Sequence, residues 1–225
     1  HFNLRSCFNG ENSKPEIDKS VGLNNFVLFY NKDKEGNIIS GFYAGRTHSI
    51  IKNDDCKLGP KCNSKIMEII ISFMKEYNIK PYDEETRKGY IRHVLIRKGF
   101  TLGEIMVCLV INSDNLPKSE KLVNELIKIE GIKSISYSIN KANTNVIMGD
   151  NYHVIWGKSC IEDLMNVNGV NIRFEISPLS FYQVNPLQVE KLYSTAIDFA
   201  GLTGKEEVWD LCCGIGTITL AMASP

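Results

Sequence analysis

Excess charge is the first thing this chain of 225 residues lacks: 26 Lys and Arg stand against 26 Asp and Glu, a formal net charge of zero. That balance excludes a protein holding a polyanion by bulk attraction, so any nucleic-acid contact must come from a local basic cluster. Long apolar runs are missing too. The longest, Met106 to Ile111 and Ile69 to Ile71, are strand- or helix-sized and fall short of the ~20 residues that cross a bilayer. No basic-then-apolar leader opens the residues given, which sets the expectation of a cytoplasmic address with no membrane attachment. Regular cysteine spacing is also absent. Cys7, Cys56, Cys62, Cys108, Cys160, Cys212 and Cys213 are odd in number and partly inside apolar runs, a pattern of reduced thiols rather than of a disulfide framework. What the chain does have is 43% hydrophobic residues, enough for one large or two small cores.

Periodicity divides the chain. Residues 1–24 are polar and aperiodic and read as a leading segment without assigned chemistry. Phe26 to Tyr30 and Ile38 to Ala44 flank a Gly-containing polar turn and read as a hairpin. Ser64 to Tyr77 repeats apolar residues at helical spacing, with Asn63 or Ser64 placed to cap it. Two strands follow about Gly99 to Gly103, then a helix over 118–130 stopped by Gly131, then a strand over 134–139. Further strands are expected over 143–149 and 153–157, and the polar run Asn166-Val167-Asn168-Gly169 marks a boundary before a fresh strand over 171–176.

The strand before Gly99 carries the densest basic cluster, Arg87, Lys88, Arg92, Arg97 and Lys98, with Tyr90 and His93 among them. Basic groups around an aromatic suit a looped RNA segment, which needs phosphate neutralisation and a stacking surface. The alternative is a solvated strand end whose charges pair with Asp83, Glu84 and Glu85.

Two motifs close the chain. Ser177-Pro178-Leu179-Ser180-Phe181-Tyr182-Gln183-Val184-Asn185-Pro186 precedes an amphipathic helix that Asn185 can cap and Pro186 can start. Glu207-Val208-Trp209-Asp210-Leu211-Cys212-Cys213-Gly214-Ile215-Gly216-Thr217 then reads as a short strand, an acidic residue and a Gly-x-Gly turn opening a helix. That is how a doubly wound sheet meets a nucleotide-type cofactor, and equally how a strand joins a helix with no ligand. Gln183 has the donors and acceptor to hold an amino-acid group, or could bond its own backbone.

In this order and at this distance the two motifs resemble the RNA uracil-5-methyltransferase family, whose members methylate a uridine of bacterial 23S ribosomal RNA or of the transfer RNA T-loop with S-adenosylmethionine. The resemblance implies an α+β central RNA-binding domain over 25–168, followed over 169–225 by the incomplete start of an α/β Rossmann-like methyltransferase domain. It implies cofactor contacts at Gln183, Asp210, Cys212, Gly214 and Gly216, with Cys212 departing from the family's aromatic, and RNA contacts at Arg46, Arg92, Arg97, Lys98 and Tyr182. Ribosomal RNA is favoured over transfer RNA as partner. Some members hold an iron–sulfur cluster with a cysteine at a position similar to Cys56; only Cys7 precedes it here, and a cluster needs about four thiolates, so neither cluster nor other metal is expected. The family's catalytic cysteine lies in an Asp-Pro-Pro-Arg-x-Gly-Cys segment that these residues lack, so no catalytic residue is assigned. The 225 residues alone are expected to be inactive, and a non-catalytic RNA-binding module is the competing reading.

Overall fold

The computed structural model describes residues 25–33, 35–44, 47, 49–143 and 146–223. Strands β1 (Asn25–Lys32), β2 (Ile38–Tyr43) and β3 (Ile50–Lys52) are followed by helix α1 (Cys62–Glu76). Next come β4 (Ile91–Lys98), β5 (Ile105–Ile111), helix α2 (Ser119–Leu126), β6 (Ile132–Ile139) and β7 (Tyr152–Gly157). These seven strands form one sheet in the order β3-β2-β1-β4-β5-β6-β7. Its neighbours are antiparallel except β5 and β6, which run parallel because the chain crosses over between them through α2.

Strand alternation decides which residues meet the helices. Val94 and Ile96 of β4, Val107 and Leu109 of β5 and Ile135 of β6 share a core with Ile66, Ile70 and Met74 of α1 and Leu122 and Leu126 of α2. Each such fully buried side chain stabilises by ~1.5–3 kcal/mol. The intervening residues His93, Leu95 and Arg97, with Cys108, Ser134 and Ser136, occupy the opposite face and are buried as well.

A second unit begins after β7. Strands β8 (Ile161–Val167) and β9 (Val170–Ile176) pair in full register. They are joined at Asn168 and Gly169, whose φ values of 50° and 86° are what a two-residue type I′ turn requires. Helices α3 (Pro186–Ala200) and α4 (Thr217–Ala223) pack on this hairpin. Their core holds Met165, Phe174, Ile176, Tyr182, Val189, Tyr193 and Ala221, together with Met106 from the large sheet.

The two units are tied at the β4–β5 turn. Asp163, fully buried on β8, accepts from the backbone N–H groups of Phe100 (2.7 Å), Thr101 (2.9 Å) and Leu102 (3.1 Å). The Thr101 hydroxyl donates to the Leu164 carbonyl at 2.8 Å. Gly99 permits the approach, since a Cβ there would stand 3.0 Å from the Glu162 carbonyl oxygen and 3.2 Å from the Asp163 carboxylate.

Several expectations need correction. Helix α1 starts at Cys62 with no side-chain cap, so Asn63 and Ser64 lie inside its first turn. Helix α2 ends at Leu126; tight turns then run on to Gly131, whose φ of 90° redirects the chain into β6. The expected strand over 143–149 is absent among the described residues there, because its carbonyls are taken elsewhere: the Asn140 amide donates to Val146 and Ile147. Asn166 and Val167 end β8 and only Asn168 and Gly169 form its turn, so the expected boundary lies inside a hairpin and the change of sheet falls between Gly157 and Ile161. The expected strand before the glycine turn is not formed either. Trp209 is 76% exposed and Leu211 80%, and a strand without a hydrogen-bonded neighbour is not stable.

Replacing Asp163 by Ala leaves three turn N–H groups without an acceptor, each worth ~1.5–3 kcal/mol against a charge. Urea unfolding of the 225-residue chain is expected to lose roughly 3–4 kcal/mol in Asp163→Ala and about half that in Asp163→Asn, which keeps one acceptor oxygen.

Candidate cofactor site and the basic strand

The loop from Ser177 to Asn185 is shaped by its own side chains. Ser177 and Ser180 exchange hydroxyl contacts at 2.8 Å, and each hydroxyl accepts the other's backbone N–H, at 3.2 and 3.1 Å. Tyr182 turns inward against Phe174, ring centroids 5.1 Å apart. The Asn185 side chain then accepts from the Gln188 N–H at 3.3 Å and Pro186 opens α3, as a capped helix start requires. Gln183 sits between these two anchors, half-buried. No hydrogen bond engages its amide among the described residues, so the amide is not consumed by its own turn.

The glycine turn is left-handed at three places: Cys212, Gly214 and Gly216 have φ of 68°, 59° and 77°. Glycine takes that conformation without a steric penalty, whereas Cys212 adopts it at some cost. The Gly216 N–H donates to the Cys213 carbonyl at 2.9 Å, and the Gly216 carbonyl accepts from Leu220 as α4 begins. Nothing lies within 4 Å of where a Cβ would stand on Gly214 or Gly216, so that side of the backbone is open. Asp210 holds the Thr219 hydroxyl across the turn.

The Tyr193 hydroxyl of α3 bonds the Thr217 hydroxyl at the start of α4 at 2.9 Å, so the helices that follow the two motifs pack side by side. A cavity of about 940 Å³ lies beside them, lined by Val167, Leu202, Val208, Asp210 and Thr219 among others. Of the five expected cofactor residues it takes in Asp210; Gln183, Cys212, Gly214 and Gly216 are not in its lining.

No family model matches the chain. An uncharacterized RNA methyltransferase of Clostridium acetobutylicum is 41% identical over 218 residues, 94% of this chain and 46% of that protein. One of Caldanaerobacter subterraneus is 40% identical over 215 residues, 92% of this chain and 47% of that protein. The chain is related to RNA methyltransferases over nearly all of its length. It spans about half the length of these curated relatives. A crystal structure of Pyrococcus abyssi tRNA (uracil-54, C5)-methyltransferase with S-adenosyl-L-homocysteine superposes with a TM-score of 0.70 at 25% identity, over 89% of this chain and 46% of that one.

In this chain the basic strand is not the surface that its sequence suggests. Arg92 is 3% exposed: Nη1 donates to the carbonyls of Asn140 (3.0 Å) and Ala142 (2.9 Å), Nη2 pairs with Glu84 (3.2 Å), and the guanidinium lies 4.5 Å over the Tyr82 ring. Arg97 is 7% exposed, its Nη1 donating to the Ser177 carbonyl at 2.7 Å, and burial pushes its pKa down to about 10. Both guanidiniums are therefore internal cross-links rather than phosphate contacts, because strand alternation and the bulge at Arg92 turn them inward. Tyr182 is likewise a core residue. Its neighbour Phe181, passed over as a contact, is 71% exposed; both are aromatic, and only the packing of Phe174 distinguishes them. Lys98 is half-buried, Arg87, Lys88 and Tyr90 are exposed, and Arg46 lies outside the described residues. No group of three or more His, Cys, Asp or Glu among the described residues could hold a metal ion. Cys56 and Cys62 both pack against the main core. No helix is long and apolar enough to cross a membrane among the described residues.

His93 stands edge-on to Phe29, centroids 4.7 Å apart, with Nδ1 unpartnered among the described residues. Burial, reinforced by the Arg92 charge, pushes its pKa from 6.5 down to about 3. The unfolded chain binds that proton more readily across this window, so the stability His93 contributes is complete above pH 6.5 and is lost as pH falls toward 3, on the order of 4–5 kcal/mol at the limit. Urea midpoints of His93→Leu are expected to fall less between pH 7.5 and 4.5 than those of the unchanged chain.

Proposed function

We propose that the whole protein methylates C5 of a uridine in RNA with S-adenosylmethionine, and that this chain carries RNA-holding surface and the opening of the cofactor site. The observation that carries the reading is half-buried Gln183, whose amide bonds none of the described residues, set on an anchored loop in the same packed unit as an open left-handed glycine turn. An aminoacyl nucleoside fits that donor set. The Gln183 amide would hold its amino-acid end, and the backbone around Cys212, Gly214 and Gly216 would lie against it where no side chain intervenes. When bound it supplies the methyl group.

Uridine C5 becomes nucleophilic enough for transfer only after a thiolate adds to C6, and a carboxylate must then remove the C5 proton. Neither role is assigned within this chain. Cys212 and Cys213 are exposed on the glycine turn itself, where the main chain is assigned to the cofactor. On the RNA side, Lys98, Arg87, Lys88 and Tyr90 remain available from the basic segment, and exposed Phe181 offers a stacking surface beside Gln183. The reading of the chain as a free-standing RNA-binding module loses its main carriers, since Arg92 and Arg97 are internal. Ribosomal RNA is the favoured substrate of this reading; the bacterial relatives are RNA methyltransferases without a named RNA, and the structural neighbour is a tRNA enzyme.

The test is methyl transfer from labelled S-adenosylmethionine by the full-length protein, with the label mapped on undermodified 23S ribosomal RNA and transfer RNA. Label at uridine C5 of ribosomal RNA is expected; its appearance on transfer RNA alone would shift the substrate, and none at any uridine C5 would end the proposal. In the same assay Gln183→Ala is expected to raise KM for S-adenosylmethionine at least tenfold while leaving KM for RNA within about twofold.

A further inference from the structure

We infer that Arg97 is a positioning residue: it reaches out of the seven-stranded sheet and fixes the loop on which Gln183 is mounted. Arg97 is the last buried residue of β4 and pairs across the strands with Met106. Its Nη1 donates to the Ser177 carbonyl at 2.7 Å, while its Nε has no partner among the described residues. Stability alone does not account for such a group. A buried guanidinium with an unsatisfied nitrogen carries a desolvation penalty that an apolar side chain of similar length avoids. Nor does the Ser177 carbonyl depend on it, since that oxygen also accepts from the Ser180 N–H at 3.3 Å. What the bond supplies is location.

The loop is held at three points by three different elements. Ser177 is bound by Arg97 from β4, Tyr182 is seated on Phe174 from β9, and Asn185 caps α3. The paired hydroxyls of Ser177 and Ser180 make the first half of the loop stiff, so a displacement at Ser177 is transmitted toward Tyr182 and Gln183. Met106, the strand partner of Arg97, belongs to the same packed cluster as Tyr182. Arg97 thus sets the loop's height above the large sheet, and Gln183 inherits that setting.

Hydrogen exchange on the 225-residue chain tests the structural half without reference to any activity. In Arg97→Met, amides of 179–183 are expected to exchange at least tenfold faster, with β4 and β5 unchanged and the urea midpoint equal or higher; Arg97→Lys, should the Met variant fold poorly, is expected to give a smaller acceleration at the same amides. Unchanged loop exchange, or acceleration spread through β4 and β5, overturns the inference. The functional half rests on the methyltransferase reading and uses the full-length protein. Arg97→Lys is expected to raise KM for S-adenosylmethionine five- to tenfold, with kcat at saturating cofactor within twofold and KM for RNA unchanged. A loss confined to kcat, or an unaltered cofactor KM despite a loosened loop, overturns it. Absence of methyl transfer by the unaltered protein sinks the functional proposal instead, and loop exchange then decides the role of Arg97.

Discussion

The whole arrangement depends on one buried carboxylate. Asp163 gathers three consecutive backbone N–H groups of the β4–β5 turn and thereby clamps the β8–β9 hairpin onto the end of the large sheet. A charge is stable in a fully buried position only when hydrogen bonds replace its water, and here the turn supplies them. Because α3 and α4 pack on that hairpin, the clamp also determines where the glycine turn and the Ser177–Asn185 loop stand relative to the strands. Met106 and Arg97 reinforce the same junction from the sheet side, one by packing and one by a directed bond.

Burial reassigns the charged residues of β4. Arg92 and Arg97 sit in a strand whose two faces are both covered, so each guanidinium finds protein acceptors rather than solvent or phosphate. Arg92 closes the 140–142 segment and Glu84 onto the strand, and His93 beside it is held neutral by its surroundings. The cationic groups left for a polyanion are fewer than the sequence displays and lie at the strand's ends and in its approach. Under the proposed function, RNA would be held by these few peripheral cations and by aromatic stacking rather than by bulk charge, since the chain carries no net charge.

The glycine turn illustrates the opposite situation, where exposure is the informative feature. Trp209 and Leu211 are apolar yet open, and Val208 borders a cavity of about 940 Å³. Apolar side chains of this size are ordinarily covered. The turn holds its left-handed shape through local bonds of Cys213, Gly216, Asp210 and Thr219, independently of any strand.

Much of this was legible in the sequence because it depends on local chemistry. Alternating apolar residues placed six of the seven strands of the large sheet, the three-residue edge strand β3 being too short for a period to show; helical spacing placed α1, α2 and α3, and the Asn185-Pro186 cap and the Gly-x-Gly turn follow from side chains and φ preferences a few residues apart. The Ser177–Asn185 and glycine motifs by themselves carry the resemblance to RNA methyltransferases. Tertiary structure alone decided what depends on partners distant in the chain: that Arg97 bonds Ser177 eighty positions away, that Tyr182 faces in while Phe181 faces out, that 143–149 surrenders its carbonyls to Asn140, and that Asp163 is the clamp. Period and propensity say which face a residue occupies; what covers that face is set by segments remote in sequence, and whether an arginine is a surface cation or an internal strut follows from the cover.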